Sequence, residues 1–261
     1  MDNRDPLDID YLRTQLIANG PYQRIEYFPE VGSTNTELVA AAHDGAPAWT
    51  AFLTDHQTAG RGRMGRSFSA PPSSQMPLSI LIRPPHESVT RLGTMPLATG
   101  LALIDALTTP QIQLKWPNDL VIDGRKLCGI LAEAVSLGDE PAVVIGLGLN
   151  TSLTKEELPV PHATSLHLEG IPYERNELAV RVLTALHHRL TQWETNNPAL
   201  MPDYRTVSAT IGQNVRVILP NDTELLGTAE GVADDGRLQV RDQTGTLHEL
   251  TAGDVTHLRL Q

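Results

Sequence analysis

A chain of 261 residues with 40% hydrophobic and 20% charged side chains has the composition of a globular protein, with room for one large domain or for a large and a small one. No apolar run approaches the roughly 18 to 20 residues that a membrane-spanning helix needs, and residues 1–6 do not lead into a signal sequence. We therefore expect a cytoplasmic protein without a membrane partner. The formal net charge of −11 opposes binding to nucleic-acid phosphates. The one cysteine, Cys128, excludes an internal disulfide and is predicted to be a small core residue.

The order of apolar, glycine and proline residues predicts a mixture of helices and strands up to residue 193, followed by strands alone. In chain order, the predicted elements are a helix at 8–17, a strand at 23–28, a helix at 36–42, a strand at 50–54, a loop at 55–75, a strand at 78–82, a helix at 90–107, a strand at 111–115, a hairpin at 120–135, a strand at 142–149, a helix at 174–193 and short strands at 214–260. This change of pattern predicts two domains, residues 1–207 and residues 208–261.

The most distinctive segment lies in the predicted loop, where residues 57–66 read Gln-Thr-Ala-Gly-Arg-Gly-Arg-Met-Gly-Arg. Three glycines let a backbone approach an anion closely, and three arginines supply fixed positive charge for a carboxylate or a phosphate. Considered alone, the run is also typical of a flexible surface segment or of an RNA-binding Arg-Gly segment. Its meaning therefore depends on the rest of the chain.

Three further clusters carry polar groups beside turns or strands. Residues 114–119, Leu-Lys-Trp-Pro-Asn-Asp, place a lysine, an amide and a carboxylate around a Trp-Pro step, and residues 125–131 return a second lysine across the Asp123-Gly124 turn. Residues 143–150 form an apolar strand that contains Gly146 and Gly148 and ends in Asn150; such glycines indicate a close approach by another group. The lysines could also be solvated hairpin charges, as most surface lysines are.

Together with Ser33-Thr34-Asn35 and residues 163–166, these clusters occur in the order and spacing of the bacterial biotin–protein ligases, which the chain resembles from about residue 25 to its end. The resemblance implies a class II synthetase-like catalytic domain of α+β type, with a mixed sheet flanked by helices, followed by a small SH3-like β-barrel. It also implies ATP-dependent activation of biotin to biotinyl-5′-adenylate and transfer of biotin to a lysine of a biotin carboxyl carrier domain, as in acetyl-CoA carboxylase. Lipoate or octanoate ligases and transferases share this catalytic fold and are the alternative.

The resemblance also assigns roles to individual residues. The biotin-binding set that it implies is Ser33, Thr34, Asn35, Gln57, Arg61, Gly62, Arg63 and Lys126. The ATP-binding set that it implies is Gly60, Arg61, Arg63, Lys115, Asn118 and Asn150. Among these, Lys126, Arg63 and Lys115 are predicted to act in catalysis, and Asp119 is a candidate ligand for Mg²⁺. The polar residues at 33–35 could also act simply as a helix cap.

Two segments depart from the family pattern. Ser67-Phe68 stands near the position where relatives usually have a tryptophan, so Phe68 is predicted to cover the ligand, and residues 73–77 replace a stretch rich in glycine and asparagine. About 24 residues precede the first catalytic strand, whereas a winged helix needs on the order of 60. We therefore expect a ligase without a DNA-binding domain and without a nucleic-acid partner, as a monomer in preference to a weak dimer.

Overall fold

The computed structural model describes residues 4–219 and 223–258, with the backbone alone at Met64, Ser67 and Phe68. The predicted covering role of the Phe68 side chain therefore lies outside the described residues. The helices are α1 (Ile9–Arg13, continued by a π-helical turn over Thr14–Ala18), α2 (Thr34–His43), α3 (Met95–Leu107), α4 (Arg175–Glu194) and α5 (Leu200–Thr206), with 3-10 turns over Arg63–Gly65, His86–Thr94 and Lys155–Glu157.

The strands form three sheets, of which two are large. The first large sheet contains β1 (Arg24–Val31), β2 (Thr50–Gln57), β5 (Gln75–Ile82), β6 (Ile112–Lys115), β7 (Asp119–Ile122), β8 (Arg125–Ser136) and β9 (Ala142–Asn150). The second contains β10 (Asn214–Ile218), β11 (Glu224–Val232), β12 (Leu238–Asp242), β13 (Leu247–Leu250) and β14 (Asp254–His257). The short strands β3 (Gly60–Arg61) and β4 (Ser67–Phe68) pair with each other.

The seven-stranded sheet has the order β1-β2-β5-β9-β8-β7-β6, and only β1 and β2 run parallel. Helix α2 covers one face over a small apolar cluster that includes Leu38, Phe52 and Val144. Helices α1, α3 and α4 contribute to the main core, and α3 packs along α4. Because helices cover both faces, β5 and β9 are apolar along nearly their whole length.

The second sheet is antiparallel throughout, with the order β13-β12-β11-β10-β14. Trp116, in the loop between β6 and β7, joins it to the first: it is 2% exposed, and its indole N–H donates to the carbonyl of Gly236 at 2.9 Å. Val215 and Val217 of β10 belong to the same apolar core as the helices. The two sheets therefore meet across a packed junction.

The predicted fold class is confirmed: a mixed sheet flanked by helices precedes a C-terminal antiparallel β unit. The predicted domain boundary after residue 207 stays a prediction. Residues 207–209 pair with Leu114 at the edge of the first sheet, so the chain leaves that sheet only after this segment. Cys128 is 1% exposed, as predicted, and burial raises the pKa of its thiol to about 12.

Several element boundaries differ from the sequence prediction. The predicted helix at 90–107 is a 3-10 segment up to Thr94 and an α-helix from Met95, with Pro96 in the first turn, where a missing N–H costs nothing. Helix α5 was not predicted, and β2 continues to Gln57. None of the helices in the described part of the chain has the length and apolarity needed to cross a membrane.

Candidate active site

Two adjoining cavities lie between the N-terminus of α2, the loop after β2, and the strands β7, β8 and β9. The inner cavity is lined by Ser33, Thr34, Asn35, Gln57, Arg61, Gly62, Arg63, Asn118, Lys126, Gly129, Ile130, Leu131, Gly146, Leu147 and Gly148. The outer cavity is larger, and Arg66, Asp119, Asn150, His162 and Asp254 are among its additional lining residues. Arg63, Asn118 and Lys126 line both cavities and mark their junction.

The α2 end of the inner cavity is a connected set of polar side chains. Gln57 Oε1 accepts a hydrogen bond from the Thr34 N–H at 2.9 Å and lies 3.1 Å from the Thr34 hydroxyl. Ser33 precedes the helix in an extended conformation, and its side chain makes no capping hydrogen bond. A glutamine from β2 thus takes over the role of the cap, which leaves the Ser33 hydroxyl on the cavity wall.

The Asn35 side chain lies over three residues that are paired side by side on adjacent strands. Ser79 on β5, Gly146 on β9 and Leu131 on β8 are paired in register, and the Asn35 side chain lies over this row. Its Oδ1 is 2.5 Å from the Ser79 hydroxyl, and its Nδ2 donates to Glu133 Oε2 at 2.6 Å. The Asn35 side chain is 5% exposed, and both ends of its amide are hydrogen-bonded within the protein.

Lys126 projects from the start of β8 towards the junction of the cavities. Its Nζ forms an ion pair with Asp119 Oδ1 at 2.6 Å, and both side chains are partly exposed, at 35% and 21%. A β-carbon at Gly129 would lie 3.0 Å from the Lys126 Nζ, so a larger residue there would crowd the ammonium group. The absence of a side chain at Gly129 leaves room for the Lys126 side chain over the sheet.

The glycine-arginine loop is fastened at both arginines beyond Gly62. Arg63 donates to Asn118 Oδ1 at 3.0 Å, and Arg66 forms an ion pair with Asp254 on β14. Burial lowers the pKa of the Arg63 guanidinium, and the carboxylates of Asp119 and Asp254 oppose this shift. Since an arginine remains protonated in proteins, the half-buried Arg63 is a fixed cation at the junction.

Lys115 and Gly60, both assigned to ATP by resemblance, line neither cavity. Lys115 pairs with Asp119 across the β6–β7 hairpin, and its charge helps to lower the pKa of the nearby His257 imidazole. Burial lowers the pKa of the Lys115 ammonium, while Asp119 and Asp254 act to raise it. The β7–β8 hairpin therefore brings Lys126 into the site, whereas Lys115, at the end of β6, lies outside both cavities.

Asn150 lies at the inner edge of the outer cavity, but its amide is bonded within the protein. Its Oδ1 accepts from Gln75 Nε2 at 2.7 Å, and its Nδ2 donates to the Thr164 carbonyl at 2.8 Å and more weakly to that of Lys126. At 3% exposure, this side chain joins β5, β8 and the segment after β9. Asn118 is similarly bonded, with its Nδ2 on the Ile130 carbonyl at 2.7 Å.

Sequence reasoning missed several residues that shape the site. They are Ser79, Glu133, Gln75, Asp254 and Arg175. The buried Arg175 donates to the Ser73 carbonyl at 2.7 Å and pairs with Asp55 at 2.5 Å. It thereby joins the two ends of the segment 55–73, which contains the glycine-arginine loop. No local pattern marks these residues, but a polar Ser79 within the apolar strand Gln75–Ile82 was a visible signal.

Within residues 4–219 and 223–258, no group of three or more His, Cys, Asp or Glu side chains could hold a metal ion. The two carboxylates that line the outer cavity, Asp119 and Asp254, each have a cationic partner, Lys126 and Arg66. One or two carboxylates together with substrate phosphates are the usual ligands of Mg²⁺. The residues present therefore fit a magnesium ion that arrives with a nucleotide.

Comparisons with known proteins find relatives over nearly the whole chain. The model of the biotin/lipoate A/B protein ligase family matches residues 27–150, and that of the biotin protein ligase C terminal domain matches residues 210–258. The biotin–[acetyl-CoA-carboxylase] ligase of Mycobacterium tuberculosis is 42% identical over 98% of this chain and 97% of its own. The bifunctional ligase/repressor BirA of Escherichia coli is 28% identical over 89% of this chain and 73% of its own.

Solved structures show the same fold. The biotin protein ligase of Aquifex aeolicus in complex with biotin and ATP superimposes with a TM-score of 0.76 at 23% identity, over 92% of this chain and all of the other. A second structure of the Aquifex aeolicus enzyme gives a TM-score of 0.74 at 20% identity, over 91% of this chain. With the family models and the 42% identical relative, these likenesses leave one conclusion. The chain belongs to the biotin/lipoate A/B protein ligase family.

Proposed function

We propose that this protein is a biotin–protein ligase: it uses ATP to convert biotin to biotinyl-5′-adenylate and then transfers biotin to a lysine of a biotin carboxyl carrier domain. The observation that carries the proposal is the junction at Lys126 and Arg63, where a small cavity with a polar end opens into a larger one. The 42% identical relative is a biotin–[acetyl-CoA-carboxylase] ligase over almost its whole length.

The inner cavity suits a bicyclic ring with a urea-like head. Thr34, Asn35 and Gln57 gather hydroxyl and amide groups at one end, while Ile130 and Leu147 contribute apolar surface. The ureido group of biotin has two N–H donors and one carbonyl acceptor, so it needs matched polar partners in an otherwise apolar pocket. The dithiolane ring of lipoate has none of these groups, and it would leave the polar end without partners.

The junction suits a reaction between two anions. In the first step a carboxylate oxygen of biotin attacks the α-phosphorus of ATP, the bond to the β-phosphate oxygen breaks, and pyrophosphate leaves. Lys126 and Arg63 would offset the repulsion between carboxylate and phosphate and would stabilise the charge that develops on the phosphoryl oxygens. Arg61, exposed on the wall of the inner cavity, would add a third cation.

In the second step the amine of the carrier lysine attacks the acyl carbon of the mixed anhydride, and AMP leaves with the bonding electrons. The amine must be neutral when it attacks, so a proton is lost to solvent or to the phosphate. The adenylate must be shielded from water until the carrier docks, and the part of the glycine-arginine loop that lines the cavities, Arg61, Gly62, Arg63 and Arg66, can provide this cover.

Five further properties belong to the same proposal. Mg²⁺ would be held by Asp119 together with the phosphates, where it supplies positive charge to the phosphoryl group. The enzyme would act in the cytoplasm as a monomer. It would have no nucleic-acid partner, because its net charge of −11 opposes binding to phosphates. Residues 1–207 would form the catalytic domain, and residues 208–261 would form the small β domain.

Release of pyrophosphate from ATP on addition of biotin, lipoate or octanoate tests the proposal directly. Biotin alone should support rapid release, and a purified carrier domain should then gain the mass of one biotinyl group. Comparable release with lipoate would favour the lipoate-ligase alternative within the family. Absence of release with all three acids would contradict both.

A further inference from the structure

Glu133, on β8, has no role implied by the family resemblance. It does not line the inner cavity, but it contacts Asn35, which does. Its Oε2 accepts a hydrogen bond from Asn35 Nδ2 at 2.6 Å. The Leu131 carbonyl oxygen, two residues earlier on the same strand, lies 3.4 Å from the same nitrogen. Both groups can only accept, so both require the NH₂ end of the Asn35 amide on their side.

The opposite side of the amide faces a different partner. Asn35 Oδ1 lies 2.5 Å from the Ser79 hydroxyl, which also lies 2.7 Å from the Thr34 hydroxyl. A hydroxyl group can donate or accept, so Ser79 by itself would tolerate either orientation of the amide. The orientation of Asn35 is therefore decided by Glu133 and the Leu131 carbonyl, of which the charged carboxylate at 2.6 Å is the stronger acceptor.

This orientation fixes the chemistry of the cavity wall. Asn35 Oδ1 is the atom that overlies Gly146, and both residues line the inner cavity. This oxygen already accepts a hydrogen bond from the Ser79 hydroxyl, and its second lone pair can accept one more from a group in the cavity. An acceptor matches a ring N–H, whereas a flipped amide would present a donor and would leave such an N–H without a partner.

We propose that Glu133 is a positioning residue that gives the inner cavity its selectivity for a ring N–H by locking the Asn35 amide with Oδ1 towards the ligand. The inference rests on the proposed function, in which that N–H belongs to the ureido ring of biotin. Glu133 lines neither cavity, so it is not expected to contact the substrate or the reacting atoms. Its effect therefore belongs in the affinity for the ring and not in the turnover of a saturated enzyme.

The Glu133→Gln variant tests the proposal, because it keeps the size of the side chain and replaces the acceptor-only group by one that can donate. Biotin should bind about tenfold more weakly, because an amide at position 133 can pair with either end of the Asn35 amide and no longer enforces the orientation that accepts the ring N–H. The KM for ATP and the kcat at saturating biotin should stay close to those of the wild type. Glu140→Gln, which removes an exposed carboxylate beyond the end of β8, is the matched control and should behave as the wild type.

A second measurement separates positioning from general support of the fold. In an Asn35→Ala background, Glu133→Gln should have no further effect on biotin affinity, since the residue through which it acts is gone. Biotin analogues methylated at one or the other ureido nitrogen add a readout from the ligand side. The wild type should discriminate strongly against one of them, and Glu133→Gln should discriminate less.

The outcomes are distinct. Wild-type affinity for biotin in Glu133→Gln, or an equal additional loss in the Asn35→Ala background, would overturn the positioning role and leave the proposed function intact. Parallel weakening of biotin and ATP would show a structural role and would overturn it as well. If the wild-type protein binds no biotin at all, the proposed function fails first and the inference fails with it.

Discussion

Asn35 and Gly146 are in such close contact that a β-carbon at position 146 would lie 2.0 Å from the Asn35 amide oxygen. That separation is far inside van der Waals contact, so no other residue fits at this point of β9 unless Asn35 moves. The two residues come from the first turn of α2 and from the middle of a buried strand. Glycine at position 146 is therefore explained by the close approach of Asn35, since glycine itself weakens a strand.

Gly146→Ala should displace Asn35 and weaken biotin binding by about tenfold or more, since a misplaced hydrogen-bonding group loses both its geometry and its pairing. The strand itself should form, because alanine fits a β conformation. Gly138→Ala, at a position where an added β-carbon meets nothing within 4 Å, is the control. Calorimetric titration with biotin measures the effect, and an unchanged affinity in Gly146→Ala would contradict the assignment of Asn35.

Lys126→Ala should lower the rate of adenylate formation at least about tenfold, since it removes a cation from the junction where two anions meet. The fold should be little affected: the ion pair with Asp119 is partly exposed and contributes about 0 to 1 kcal/mol. Lys155→Ala removes an exposed lysine outside both cavities and serves as the comparison. Pyrophosphate release and urea unfolding are the two measurements, and normal release by Lys126→Ala would exclude the lysine from the chemistry.

Arg175 is 1% exposed and forms a buried ion pair with Asp55, which also accepts a hydrogen bond from the Tyr27 hydroxyl. Arg175→Met should lower the free energy of unfolding by about 3 to 5 kcal/mol, because it leaves an uncompensated carboxylate in the interior. Arg175→Met combined with Asp55→Asn should be more stable than the single variant, since the stranded charge is removed. Urea unfolding tests this, and losses that simply add would show that the pair is not coupled.

The parts of the fold that could be predicted from sequence are those encoded locally. The hairpin at Asp123-Gly124 is an example: both residues have positive φ, at 49° and 75°, as an Asp-Gly turn between two strands requires. Gly146 is an intermediate case, since a glycine in an apolar strand predicted a close approach without identifying Asn35. Family resemblance then added roles for the residues, which the fold brings together for Lys126 and Arg63 but not for Lys115.

The contacts that could not be predicted depend on strand register and on long separations in sequence. Ser79, Gly146 and Leu131 meet only because β9 lies between β5 and β8 in that register. Arg175 and Asp55 are joined across 120 residues. No periodicity or turn signal carries such information, so these contacts emerged only from the three-dimensional structure.

His257, on β14, is expected to make stability depend on pH. Burial, assisted by the charge of Lys115, lowers its pKa from 6.5 to about 4. The unfolded chain therefore takes up this proton first as the pH falls, and folding stability is lost between about pH 6.5 and pH 4. In His257→Gln this loss should be smaller than in the wild type, since shifts at other groups, such as the lowered pKa of His187, are common to both proteins. Urea unfolding at several pH values in this range measures the difference, and identical slopes would contradict it.

The glycine-arginine loop is expected to gain protection against amide hydrogen exchange when biotin or the adenylate binds. Its strands β3 and β4 pair over only two residues each, and among the side chains that the structure describes, Arg63 contacts Asn118 and Arg66 contacts Asp254. A carboxylate and a phosphate would give its arginines stronger, charge-assisted partners, which can offset part of an ordering cost of roughly 1 to 2 kcal/mol per residue.

The gain should be confined to residues 60–68. The far end of the loop is already fixed without a ligand, since the Ser73 N–H donates to the Asp55 carbonyl at 2.8 Å and the Ser73 carbonyl accepts from Arg175. Exchange should therefore change little at residues 73–75, and the buried strand β9 provides an internal reference that is protected in both states. Mass spectrometry of peptides from the free and the biotin-saturated protein measures this pattern. Equal protection of residues 60–68 in the two states would mean that the loop is a preformed wall, and that the adenylate must be shielded from water by the docked carrier.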